Sequence, residues 1–233
     1  MTGDRTQAPA SVDAHRDGVE RRLERTALAD LPALDTLTGV ERLFLTRTPI
    51  SDVAPLAALT RLRVLGLKLT RVADVLPLAG LVGLESLILS FTPVADVGPL
   101  AGLIALRSLY LTGSMVEDIA PLSHLRRLVR LDLGGTSVAD LRPLAELTGL
   151  ESLQLSSTRV TDLTPLAGLT RLRVLELGDT AASDLSPLDH LTHLRRLDIR
   201  GTRVPADGVP PGLRDCEIVS ASTFRRRRLP AER

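Results

Sequence analysis

Aromatic residues are scarce in this chain of 233 residues, which has three phenylalanines, one tyrosine and no tryptophan. Because 44% of its residues are nevertheless hydrophobic, any packed core must be aliphatic. The single cysteine, Cys216, excludes an internal disulfide framework and favours a reducing compartment. Asparagine is absent and there is only one lysine, Lys68, beside many arginines, a usage that indicates a bacterial, GC-rich coding sequence.

The chain also lacks an apolar run long enough to span a bilayer, and its first 20 residues lack the apolar segment of a signal peptide. We therefore expect a cytoplasmic protein with no membrane span. The formal net charge of +1 gives no general argument for nucleic-acid binding. The run Arg225–Arg228 could contact nucleic acid, but a solvated basic tail is the simpler interpretation of so short a run.

What the chain has in abundance is leucine, and one leucine series keeps a spacing of 22 residues throughout. Its members are Leu43, Leu65, Leu87, Leu109, Leu131, Leu153, Leu175 and Leu197. A fixed period in this range with an L-x-x-L-x-L core is the sequence signature of leucine-rich coils. The pattern predicts an α/β leucine-rich repeat solenoid of about eight regular coils. We expect a curved parallel sheet on the concave face and short helical or 3-10 turns on the convex face.

Two polar columns repeat with the same period, and we interpret both as structural. An aspartate begins each return segment Asp-x-x-Pro-Leu and is expected to accept hydrogen bonds at a helical start; the series is Asp52, Asp74, Asp96, Asp118, Asp140, Asp162 and Asp184. A hydroxyl column is expected to satisfy buried backbone groups and to link one coil to the next; it comprises Thr48, Thr70, Thr92, Ser114, Thr136, Thr158, Thr180 and Thr202.

The repeat boundaries divide the chain into five parts. Residues 1–15 are expected to be disordered, residues 16–39 to form a degenerate repeat or a capping helix, and residues 40–204 to form the solenoid. Residues 205–224 are expected to cap the far end, with a final strand near Ile218 and Cys216 as a buried small hydrophobe. Residues 225–233 would be a disordered basic tail. We expect a monomer.

The motif L-x-x-L-x-L-x-x-T-x-V-x-D-L-x-P-L-x-x-L resembles the 22-residue repeats of internalins, which intracellular leucine-rich regulators of protein phosphatase share. The resemblance covers residues 26–204. It implies a protein-binding solenoid, because internalins bind host receptors through the concave face. Internalins also carry a signal peptide and a cell-wall anchor, for which this sequence gives no sign, so we do not extend the role of an invasin to it.

The residues that flank the inward leucines should point out of the concave sheet, and those of the first four coils are unusually apolar. Three of the four aromatic residues fall in these positions. We call the resulting set the apolar patch; it comprises Phe44, Val64, Leu69, Ile88, Phe91 and Tyr110. Exposed aromatic clusters anchor interfaces, so the patch predicts a partner site. The alternative is that N-terminal residues fold over the patch and cover it.

The same columns become acidic in the last four coils, where the central positions are Asp132, Gln154, Glu176 and Asp198. Glu176 and Asp198 should lie on adjacent strands about 4.8 Å apart, so the pKa of one should rise. Arg196 and Arg200 flank them, which allows three interpretations. The acids form a neutralised ion-pair lattice, or they bind a basic or amine-bearing ligand, or they form a metal or acid/base site, the latter together with Tyr110.

The sequence has no G-x-S-x-G, H-E-x-x-H, P-loop or G-x-G-x-x-G motif. The pair His190-x-x-His193, preceded by Asp189, resembles a metal-ligand spacing, but we interpret these residues as surface positions. We therefore predict a protein- or peptide-binding module without catalysis, metal or cofactor. An apolar segment of the partner would contact Phe44, Leu69, Ile88, Phe91 and Tyr110. A basic segment would contact the acidic strip, which comprises Asp132, Gln154, Glu176 and Asp198 with the flanking Arg196 and Arg200. The alternative is an enzyme or small-ligand-binding protein that uses the acidic trough.

Overall fold

The computed structural model describes residues 20–23, 37, 39–205 and 207–220. Ten parallel strands form one sheet, and their spatial order is their order in the sequence. The strands are β1 Glu20–Arg22, β2 Arg42–Phe44, β3 Val64–Gly66, β4 Ser86–Ile88, β5 Ser108–Tyr110, β6 Arg130–Asp132, β7 Ser152–Gln154, β8 Val174–Glu176, β9 Arg196–Asp198 and β10 Glu217–Val219. The predictions for residues 1–15 and for Arg225–Arg228 and the rest of the tail lie outside the described residues.

The register of the sheet follows the 22-residue period. Leu43 lies opposite Leu65, and Leu65 lies opposite Leu87, so the leucine series forms one continuous buried column. Strands β2–β9 belong to the eight regular coils, one strand to each coil. β1 keeps the same phase although Arg21 stands where the other coils have leucine. At the other end Ile218 of β10 pairs with Leu197. The predicted leucine-rich solenoid is therefore the observed fold.

Within residues 39–220, apart from residue 206, eight 3-10 helices form the return segments, and each has proline in its first turn. They span Ala54–Ala58, Leu76–Leu78, Gly98–Leu100, Ala120–His124, Arg142–Leu144, Thr164–Leu166, Ser186–Leu188 and Pro211–Leu213. Proline suits this position because its fixed φ is helical and its missing N–H would have no partner there. The leucine that follows the proline is buried, as Leu56 is after Pro55, so each return segment closes the core of its coil.

The aspartate column has the predicted capping role. In all seven coils a side-chain oxygen accepts a hydrogen bond from the backbone N–H two residues later, at 2.7–2.9 Å. The Asp52 carboxylate, for example, accepts from Ala54, the first residue of its 3-10 helix. These aspartates therefore stabilise turns and are not arranged as ligands.

The hydroxyl column is buried except at Thr202, which is partly buried, but the prediction that it links neighbouring coils is wrong. Seven threonine hydroxyls donate at 2.6–2.8 Å to the carbonyl three residues earlier in the same coil. Backbone groups connect the coils instead; the N–H of Arg71, for example, donates to the carbonyl of Ile50 at 2.9 Å. The exception in the column is Ser114, whose buried hydroxyl has no hydrogen-bond partner within the described residues.

The core is a continuous aliphatic stack, and Cys216 closes its C-terminal end. Burial, with a smaller contribution from Glu217, raises the pKa of the Cys216 thiol to about 11. The thiol therefore remains protonated at neutral pH and behaves as the predicted buried hydrophobe. None of the helices in the described residues is long and apolar enough to cross a bilayer.

Candidate functional site

The turn that follows each strand contains a residue in the left-handed backbone conformation. The φ angle at this position lies between 57° and 70° in all eight regular coils, and the residues are Arg47, Leu69, Phe91, Gly113, Gly135, Ser157, Asp179 and Gly201. We call this set the left-handed turn column. Glycine adopts the conformation freely, whereas a residue with a Cβ is strained by about 1–2 kcal/mol. The coils with Leu69 and Phe91 thus hold large apolar side chains where folding alone favours glycine.

Leu69 and Phe91 are also exposed, with 39% and 49% of their surface accessible. Together with Thr46, Arg47 and Lys68 they line a shallow depression of about 350 Å³ at the C-terminal edge of β2–β4. Backbone hydrogen bonds between coils hold its rim, because the N–H of Leu69 donates to Ser90 at 3.0 Å. The depression is therefore a rigid site with apolar and cationic walls.

The Phe91 ring lies against the backbone of the next coil. A Cβ added to Gly113 would come within 2.7 Å of its Cδ1 atom, so the glycine leaves the space that the ring occupies. The ammonium of Lys68 lies 5.7 Å from the ring centroid, within the range of a cation–π contact. Phe91 is thus held in place although half of its surface faces solvent.

Phe44 has a similar position at the N-terminal end of the patch. Its ring covers Gly66, where a Cβ would lie 2.7 Å from Cδ1. The guanidinium carbon of Arg22 lies 4.7 Å from the ring centroid. The alternative of an N-terminal cover therefore holds in part for Phe44, which is only half-exposed, since β1 contributes one side chain over its ring.

The remaining members of the apolar patch, Val64, Ile88 and Tyr110, are partly exposed on adjacent strands. Ile88 lies directly opposite Tyr110 in the sheet register. Some small members of the same columns are buried, contrary to expectation, among them Ser90 and Ser108. Within the described residues, the large hydrophobic side chains that are well exposed all fall between residues 69 and 115; they are Leu69, Leu76, Val82, Phe91, Ile104 and Met115.

The acidic half of the face differs from the prediction at Asp198, which is buried with 1% of its surface accessible. Arg200 donates to both of its carboxylate oxygens, through the side chain and through the backbone N–H. Burial opposes the charged form, but these hydrogen bonds and the charge of Arg200 outweigh it and lower the pKa of Asp198. The prediction that Asp198 is exposed to a partner is therefore wrong, because its oxygens are already occupied.

Glu176 has the raised pKa that the sequence predicts for one of these two acids. Burial is the main cause, Arg196 opposes it, and the neighbouring Asp198 carboxylate adds to it. Arg196 bridges Glu176 at 3.2 Å and Glu217 of β10 at 3.6 Å. The acids of β8–β10 thus form an ion-pair network with Arg196 and Arg200, which is the first of the three interpretations of this strip.

Asp132 and Gln154 use a side-chain oxygen locally. The Asp132 carboxylate accepts from the N–H of Gly134 at 3.0 Å, and the Gln154 amide oxygen accepts from the N–H of Ser156 at 2.7 Å. Asp198 makes the same bond to Arg200. These central positions therefore stabilise the turn after their strand, a role that sequence reasoning missed. The available sequence signal was that each of these polar side chains stands two positions before a residue of the turn.

A second shallow depression, of about 440 Å³, lies before strands β7–β9 and is lined by Glu151, Thr170, Arg171, Arg173 and His193. Arg173 and Glu151 approach to 3.8 Å and are both substantially exposed. No group of three or more His, Cys, Asp or Glu side chains within the described residues is placed to hold a metal ion.

Comparison with known proteins places this arrangement in a family. Residues 148–190 match the family described as leucine-rich repeats in two copies. An internalin (inlF) of Listeria monocytogenes is 32% identical with a TM-score of 0.71; the match covers 82% of this chain but only 63% of that one. Internalin C2 (inlC2) of the same bacterium is 35% identical with a TM-score of 0.73, and 76% of this chain and 78% of that one are covered.

A leucine-rich repeat protein of Leptospira interrogans shares the fold at 24% identity, with a TM-score of 0.76 over 81% of this chain and 51% of that one. No curated protein matches the sequence. The two Listeria structures share both the 22-residue coil and substantial sequence identity with this chain. The chain belongs to the leucine-rich repeat proteins of the internalin type.

Proposed function

We propose that this protein is a protein- or peptide-binding module whose contact surface is the apolar patch on the first four regular coils. Leu69 and Phe91 would anchor the partner at the depression. Ile88 and Tyr110 would extend the contact across β4 and β5, and Phe44 would extend it toward β1. Leucine-rich repeat solenoids commonly serve as protein-binding modules, and the outward positions of this face are not fixed by the repeat.

The observation that carries the proposal is the pairing of exposure with backbone strain at Leu69 and Phe91. Each places a large apolar side chain in solvent at a position where φ is 57–58°. Both features lower stability, since a left-handed residue other than glycine is strained and an exposed aromatic ring gains little from burial. Strain of this kind concentrates at binding and active sites, where contact with another molecule compensates for it.

The acidic trough supports catalysis less well. The pKa of Glu176 is raised and that of the neighbouring Asp198 is lowered. Catalytic acid/base pairs of carboxyl groups show this pattern. However, Arg200 occupies both oxygens of Asp198, and Arg196 binds Glu176. Our proposal therefore gives these acids a structural role. If the trough performed chemistry, Glu176→Gln and Asp132→Asn would abolish turnover of a substrate that still binds.

The test is affinity capture from the native bacterium with quantitative mass spectrometry. The double variant Phe91→Gly and Tyr110→Ala should lose the specific partner by at least about tenfold, the typical effect of removing central aromatic anchors. The matched control, Leu76→Ala and Val82→Ala, removes two exposed hydrophobic side chains outside the patch and should retain the partner. Equal capture by the wild type and both variants would contradict the proposal.

Within this proposal the protein acts as a cytoplasmic monomer without a cofactor. Light scattering after size-exclusion chromatography tests the monomer, and cell fractionation tests the location.

A further inference from the structure

We propose that the segment bound at the apolar patch carries a carboxylate beside an apolar side chain, and that Arg47 and Lys68 receive the carboxylate. This inference rests on the proposed function and names the chemistry of the partner. It reverses the charge that the sequence predicts for the partner, because that prediction relied on acids that the structure shows to be largely paired.

The depression joins the two kinds of contact. Leu69 and Phe91 supply apolar walls, and Arg47 and Lys68 supply two cationic ends at the same site. The backbone N–H of Arg47 donates to the carbonyl of Lys68 at 2.9 Å, so the two cationic residues belong to adjacent, hydrogen-bonded coils. An apolar side chain that enters between Leu69 and Phe91 would place its neighbours within reach of both cations.

Among the residues that line the depression, the two charged side chains, Arg47 and Lys68, have the same sign. Neither Arg47 nor Lys68 has an ion-pair partner within the described residues. The four outward columns of strands β2–β5 and their turns contain no carboxylate. Glu20 of β1, at the N-terminal edge, binds Arg22 and Arg42 instead. Among the described residues that line this site, an incoming carboxylate would therefore meet two cations without an ion-pair partner and no acid.

The carboxylates farther along the sheet do not favour a basic partner at the depression. Arg196 and Arg200 pair with Glu176 and Asp198, more than three strands from Phe91. Asp132, opposite Tyr110, is closer and bonds to the N–H of Gly134. It marks the far limit of the cationic region, so the acidic end of the bound segment should point toward β2.

The experiment selects 12-residue peptides from a random phage-displayed library on the full chain. Peptides recovered on the wild type should be enriched in Asp or Glu beside a large hydrophobic residue. The variant Arg47→Glu/Lys68→Glu should bind those peptides about tenfold more weakly, with the difference shrinking as salt is raised. It should itself select Lys or Arg in place of the acids.

The matched control is Arg159→Glu/Arg171→Glu, which makes the same charge change at exposed arginines of later coils. It should retain the acidic peptides with less than about twofold change, since it lies beyond a screening length of the site. Lys68→Glu alone serves as a second variant, because Arg47 has the left-handed conformation and Lys68 does not. Thermal melts should show that all variants fold.

The outcomes separate the two proposals. Peptides that require Phe91 but bind Arg47→Glu/Lys68→Glu and the control equally would overturn this inference and leave the proposed function standing. If Phe91→Gly weakens the binding of none of the recovered peptides, both proposals are overturned. If the chain self-associates and Phe91→Gly abolishes this association, the occupant of the patch is a second copy of the chain. That result would overturn the inference of an acidic partner segment.

Discussion

The regular coils around β2–β5 and those around β6–β9 share one backbone and one core, but they use the outward positions in different ways. In the first region the outward side chains are apolar, small or cationic, and two of the apolar ones, Leu69 and Phe91, are strained and exposed. In the second region the outward acids accept hydrogen bonds from their own turns and from arginines. The repeat does not constrain these positions. The second half uses them for internal stabilisation, and our proposal assigns those of the first half to contact with a partner.

This comparison predicts that substitutions in the two halves separate stability from binding. Changes to the ion-pair network of β8–β10 should affect stability and its pH dependence, whereas changes to the apolar patch should affect binding with little loss of stability. The following tests run from the largest expected effect to the smallest.

Asp198→Asn should lower the free energy of unfolding by about 2 kcal/mol at pH 7, because it removes a buried charged acceptor from Arg200. The folded pKa of Asp198 is lowered, so its contribution is present above the unfolded value of about 3.9 and is lost as pH falls through the folded pKa. Urea denaturation at pH 7 and pH 3 checks this. A deficit of the same size at both pH values would contradict it.

Gly135→Ala should lower the free energy of unfolding by about 1 kcal/mol or more, because it places a Cβ at φ 67°. Steric overlap is not the reason, since the nearest atom to such a Cβ is 3.6 Å away. The reverse change, Phe91→Gly, should alter stability by less than about 1 kcal/mol, because relief of strain offsets the lost ring contacts and the added flexibility of glycine. Denaturation curves of the Gly135→Ala and Phe91→Gly variants, each measured beside the wild type, test these two expectations.

Ser114→Thr should raise the free energy of unfolding by about 0.5–1 kcal/mol, a typical net value for one hydrogen bond. Seven coils have threonine here with its hydroxyl bound to the carbonyl three residues earlier, while no described residue pairs with the buried Ser114 hydroxyl. Thermal unfolding measures the gain, and Thr136→Ser in the next coil is the control that should show a loss. An unchanged melting temperature in both would show that the methyl and hydroxyl contribute nothing.

Glu176→Gln should leave stability at pH 7 nearly unchanged, or slightly higher, and should alter mainly its pH dependence. The folded pKa of Glu176 is raised, so in the wild type this group lowers stability as pH rises from the unfolded value of about 4.3 through the folded pKa. Gln removes that slope. Stability measured between pH 4 and pH 7 should fall less in the variant. Parallel curves for the two proteins would refute the assignment.

Sequence reasoning captured what the period determines. The leucine register, the parallel pairing, the aspartate caps and the membership of the apolar patch all follow from positions that repeat every 22 residues. Local rules suffice there, because each coil packs only on its neighbours.

What the sequence did not reveal depends on side-chain direction or on the ends of the stack. The threonine hydroxyls turn back into their own coil, which a column of residues cannot show. Asp198 is buried because Arg200 folds over it at the last regular strand. Residues 16–39 were expected to form a degenerate repeat or a capping helix, and most of this range lies outside the described residues. The sequence did not locate the strand β1 within it, because Arg21 replaces the leucine. The left-handed turn column did leave a signal, since Gly113, Gly135 and Gly201 share one position.

Each regular coil of this solenoid contains one position at which folding alone favours glycine, and that position changes how the chain evolves. Without selection for contact, mutation at the left-handed turn column should drift toward glycine, because each such change relieves strain. A large side chain that persists there across related chains would mark a coil that is kept for binding. Under our proposal, Leu69 and Phe91 are such side chains, and they mark the coils of this chain that serve recognition.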